Sequence, residues 1–139
     1  MRLVIIALAA GAAALGTAAF AAKESPLSPP PASGTGLPSG QCIRSSDIRN
    51  HTVGDRSTLL IDVQGKGAYR VTMKGSCLAG ATSSDPIITR SPPGSAIICK
   101  PIDMDVAISK GGFATPCIVD SIVKMAPEEV AALPRKVKP

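Results

Sequence analysis

The stretch Ser57–Cys77, STLLIDVQGKGAYRVTMKGSC, decides the fold class. Leu59, Ile61 and Val63 alternate with Thr58, Leu60 and Asp62, and Tyr69, Val71 and Met73 alternate with Arg70, Thr72 and Lys74. A period of two is the signature of a strand with one buried face. Pairing Val63 with Tyr69, Ile61 with Val71 and Leu59 with Met73 puts six apolar side chains on one face and sets Asp62 opposite Arg70. A slip of one residue would mix the faces and is disfavoured. This hairpin closes over Gly65-Lys66-Gly67, with a glycine for the left-handed turn position. The second strand is expected to run on to Cys77 with its sulfur inward.

Outward from the hairpin, the chain reads as more short strands. Gln41–Ile48 forms the first, with Arg49–Val53 able to continue it before a turn at Gly54-Asp55. Leu78–Asp85 is a small, polar loop. Pro86–Arg90 is a strand, Ser91–Ser95 a turn, Ala96–Cys99 a strand ended by Pro101, and Asp103–Ser109 a further extended piece. Lys110-Gly111-Gly112 turns into a last strand, Cys117–Met125. Pro127-Glu128-Glu129 opens a short helix ended by Pro134, since proline and acids suit a first helical turn. Six to seven short strands without a crossover helix predict an all-β antiparallel sandwich or small barrel with a short C-terminal helix.

The ends of the chain differ from its middle. Arg2, an apolar run from Leu3 to Ala22 and the exit Ala19-Phe20-Ala21 predict a signal peptide over residues 1–21, hence a periplasmic or secreted bacterial protein. The competing reading is an uncleaved anchor, as the run approaches the ~20 residues a span needs; once cleaved, the chain has no stable membrane insertion. Residues 22–40, with five prolines, four serines and three glycines from Lys23 to Gly40, predict a disordered tether. Residues 41–133 form the β domain, and residues 134–139 a free basic tail. That domain holds ten basic and nine acidic residues, so the formal net charge of +5 describes the ends. Without a basic face or stacking aromatics, nucleic acid is excluded as a partner.

A domain this small has a marginal core unless it is stapled. Cys42, Cys77, Cys99 and Cys117 are spaced by 35, 22 and 18 residues, which suits a disulfide framework and not the closely paired ligands of zinc. No Cys-x-x-Cys exists to support thiol redox chemistry. Connectivity is not given by spacing; the expected pairing is Cys77–Cys99 with Cys42–Cys117, the second tying the first strand to the last through the longest loop.

The arrangement Cys42-Ile43, Ile48-Arg49-Asn50, Asp55, Leu59-Leu60, Tyr69-Arg70, Cys77, Ile98-Cys99 and Cys117 resembles a family of small exported bacterial proteins catalogued only as a domain of unknown function. The resemblance spans about Cys42 to Met125 and implies a β-rich exported protein, with no activity attached. The chain departs from that pattern at Leu78-Ala79, where the family places proline and glycine, and at Asp103, which lies farther from Cys99 than the family's aspartate.

Candidate chemistry is sparse. His51 is the sole imidazole, and a triad with Asp47 or Asp55 has no nucleophile elbow to support it; a surface histidine at a strand end is by far the simpler account. Asp103 and Asp105 share a strand face but offer too few oxygens for calcium; solvated edge charges are the simpler account. Arg135, Lys136 and Lys138 supply about 1 kcal/mol each toward an anionic surface, too little without an amphipathic face. No catalytic, metal or cofactor residue is assigned. The expected role is a non-catalytic interaction or envelope-associated module binding a protein or envelope partner through a sheet edge or the loops Leu78–Asp85 and Ser91–Gly94. The alternatives are a protease-inhibitor-like protein and, third, an enzyme using His51.

Overall fold

The computed structural model describes residues 31–90 and 96–139. The expected signal peptide, residues 22–30 and the turn at 91–95 lie outside the described residues. Nine strands run in the order β1 Ile43–Arg44, β2 Ile48–Val53, β3 Thr58–Val63, β4 Gly67–Met73, β5 Ile87–Arg90, β6 Ile97–Ile98, β7 Asp105–Lys110, β8 Phe113–Cys117 and β9 Val119–Lys124. One helix, α1 Pro127–Ala132, follows. All pairings are antiparallel, in three sheets ordered β2-β3-β4-β9, β5-β7-β8 and β1-β6.

The inward parity of the central hairpin is as its pattern predicts, but its register is two residues tighter. Leu59 pairs with Val71, Ile61 with Tyr69 and Val63 with Gly67. The loop is Gln64-Gly65-Lys66, closed by Lys66 N–H donating to the Val63 carbonyl at 3.0 Å. Gly65 at φ 73° and Gly67 at φ 88° supply the left-handed backbone this closure requires. A shift of two leaves every side chain on its own face, so hydrophobic parity cannot distinguish the registers. The consequence falls on charge: Arg70 lies across from Leu60 and Asp62 across from Ala68, so Asp62 and Arg70 are not the directly opposed cross-strand partners expected. The strand ends at Met73, and Cys77 sits in the turn beyond it.

The core gathers the inward faces of all three sheets. Leu59, Ile61, Tyr69 and Val71 of the central hairpin meet Ile122 of β9, Val106 and Ile108 of β7, and Ile43 and Ile98 of the β1-β6 pair. Leu78, assigned to a polar loop, is buried there as well. A second, smaller cluster forms on the opposite face of the four-stranded sheet, from Leu60, Ala68, Met125 and Leu133.

Both expected disulfides are replaced by the other non-sequential pairing, Cys42–Cys99 and Cys77–Cys117, with Cα separations of 4.5 and 5.7 Å. The reason is strand order. The first strand pairs with β6, Ile43 facing Ile98, so one further step of that ladder sets Cys42 against Cys99. The last strand pairs with β4, not with the first. Cys77, just past the end of β4, thereby meets Cys117 at the end of β8, where its sulfur also lies 3.7 Å from the Pro116 carbonyl.

The domain reaches beyond residues 41–133 at both ends. Gly34 N–H donates to Asp120 O and Ile122 N–H to Thr35 O, which stitches residues 34–35 onto the β9 edge, while Leu37 N–H donates to Cys99 O just past β6. The expected free tail instead turns over Arg135–Val137, with Val137 packed on the second cluster. Strand β8 leaves no pattern in the sequence: its residues through Pro116 are exposed, so no buried parity marks it.

Candidate functional site

Three polar or apolar features stand out among the described residues. The first is an open groove of about 880 Å³ where the β8–β9 junction faces the 3-10 turn Pro101–Asp103. Met104 is buried at 3 % exposure, while Ile102 and Ile118 project with 83 % and 66 % of their surface in solvent. Two large, exposed aliphatic side chains thus flank one concavity. The turn carrying Ile102 is rigid for a local reason: the Asp103 carboxylate accepts from the N–H groups of Cys99 and Lys100, at 3.0 and 2.8 Å. This assigns Asp103 to loop bracing. Asp105 lines the groove separately, and the pair expected to share a strand face divides between two tasks. Lys74 and Lys100 also line it, and neither is in an ion pair among the described residues. Asp120 is held by Ser33 Oγ at 3.0 Å.

His51 lies on β2, half-buried, beside a small cleft of about 150 Å³. Its Nε2 is 3.3 Å from the Asp85 carbonyl, and it makes no hydrogen bond to Asp47 or Asp55. Asp55 instead receives Ser57 N–H at 2.7 Å and Ser57 Oγ at 3.0 Å. Burial alone would raise its pKa, but the hydrogen bonds from Ser57 and Thr58 together outweigh burial and hold it below the ordinary carboxylate value. Among the described residues, no cluster of three or more His, Cys, Asp or Glu side chains is placed to hold a metal ion. The loop 78–85 is tied inward by Val53 N–H donating to Ser83 Oγ at 3.0 Å and by buried Leu78.

The third feature is a polar layer on the outer face of the four-stranded sheet. Thr58, Thr72 and Ser121 lie side by side across β3, β4 and β9, and Thr52, Leu60 and Arg70 form the neighbouring row. Arg70 is only 6 % exposed and pairs with Glu129 of α1. Burial lowers the guanidinium's pKa, countered in part by the Asp55 carboxylate; the group stays charged. Thr52 Oγ1 donates to the Val137 carbonyl at 2.7 Å. The hydroxyls of Thr72 and Ser121 are buried without a partner among the described residues, each at a cost of about 1–3 kcal/mol.

These observations define a stapled, mostly β protein whose surface offers an apolar groove and a covered polar face. The chain belongs to a family of unknown function, DUF6491, whose model matches residues 1–138. No curated protein matches the chain, and no solved structure does. The groove was not read from sequence, because Ile102 and Ile118 are isolated isoleucines in unrelated stretches; Ile118 beside Cys117 on an alternating strand was the available signal.

Proposed function

We propose that the protein is an exported, non-catalytic binding module that holds an extended peptide segment of a partner in the Ile102–Ile118 groove. In this reading an apolar side chain of the partner packs on Met104 between the two isoleucines, and acidic groups beside it meet Lys74 and Lys100. The observation carrying it is the pair of exposed isoleucines over a buried methionine, backed by rigid bracing from Asp103 and the Cys77–Cys117 disulfide. A preformed, rigid groove limits the ordering cost of binding. Two disulfides fit an oxidising compartment, which supports a periplasmic or secreted location.

Panning a random-peptide phage library against the mature protein tests this. Enrichment of sequences with an apolar residue flanked by Asp or Glu is expected, and it should disappear against Ile118→Asp and weaken against a Lys74→Ala, Lys100→Ala double variant. Enrichment that survives Ile118→Asp, or none at all, would sink the proposal.

A further inference from the structure

The covered polar face has more hydrogen-bonding capacity than its cover uses. The C-terminal segment offers Arg70 one carboxylate, from Glu129, and offers Thr52 one carbonyl, from Val137. Thr72 and Ser121, in the row next to Arg70, receive nothing from the described residues. A cover serving only to shield a sheet would be matched by an apolar face, yet apolar contact here is confined to Leu60 and Ala68 with Met125, Val130, Leu133 and Val137. The cover is also separable. Residues 126–139 form no strand, so they can lift away without breaking a ladder. Helix α1 has six residues and no side-chain cap at its start, so its order depends on docking.

We infer that the face carrying Arg70, Thr72 and Ser121 is a second binding site, for an acidic peptide, and that the C-terminal segment is a built-in competitor whose Glu129 stands where the peptide's carboxylate would bind. A planar guanidinium suits a carboxylate, and neighbouring hydroxyls supply donors for the remaining oxygens. The site is separate from the groove and does not depend on it.

Hydrogen exchange and peptide titration on the full mature chain test the inference. In Glu129→Gln, amides of residues 127–137 are expected to exchange roughly tenfold faster than in the unaltered protein, while those of β3 and β4 do not change. The peptide acetyl-Ala-Glu-Ala-amide is expected to bind Glu129→Gln about tenfold more tightly than the unaltered chain. Acetyl-Ala-Gln-Ala-amide, or Arg70→Gln added to Glu129→Gln, should abolish binding. Thr52→Val, which removes the other tie of the cover, provides the same readouts should Glu129→Gln fail to fold. Exchange of residues 127–137 only together with the strands would overturn the inference, as would a loosened variant that binds neither peptide or both alike.

Discussion

Leu60 carries the polar parity of its strand yet has none of its surface in solvent, because the C-terminal segment covers it. Replacing it by Ala should cost about 2–5 kcal/mol in urea unfolding, like any buried leucine. Ile118→Ser, by contrast, removes a side chain already in solvent and should change stability by no more than about 0.5 kcal/mol. That contrast separates a side chain kept for packing, Leu60, from one available for binding, Ile118. Asp55 ties stability to acid. Its folded pKa lies below the ordinary 3.8, so it stabilises the fold above that value and the contribution is lost as pH falls through the lower, folded value. Urea midpoints measured from pH 7 down to about 2 should therefore fall less steeply at the acid end in Asp55→Asn.

Among the elements, the N-terminal stitch and the disulfides decide how the sheets are held. Gly36 has no room for a side chain: a Cβ there would stand 2.7 Å from the Cys99 carbonyl oxygen. Gly36→Ala should thus loosen residues 34–37 and expose the Thr35–Ile122 bond to exchange, measured amide by amide. Cys42–Cys99 closes a separation of 57 residues and joins the two-stranded sheet, whose ladder is only two residues long. A Cys42→Ser, Cys99→Ser variant should lose about 2–5 kcal/mol of unfolding free energy. Pro116 in β8 removes an N–H from the ladder and suits its place on an edge strand.

For the whole molecule, stability is the sum of one core, one satellite cluster and two staples, set against a net of about 5–15 kcal/mol for any domain. Reducing both bonds should collapse the dispersed amide spectrum at neutral pH, and a spectrum that stays dispersed would show that the core suffices alone. The β class, the short helix and the presence of a four-cysteine framework were legible in the chain, as was the inward face of the central hairpin. These follow from local rules: a period of two, turn residues, and a proline at a helix start. Cysteine pairing, the register of Arg70, the ordered ends and the groove were not legible. Each depends on which distant strands become neighbours, and parity repeats every two residues while nothing local distinguishes one partner strand from another. Chain chemistry alone determined which side chains face inward; only the tertiary structure decided what they face, because strand order is a property of the closed core and not of any segment within it.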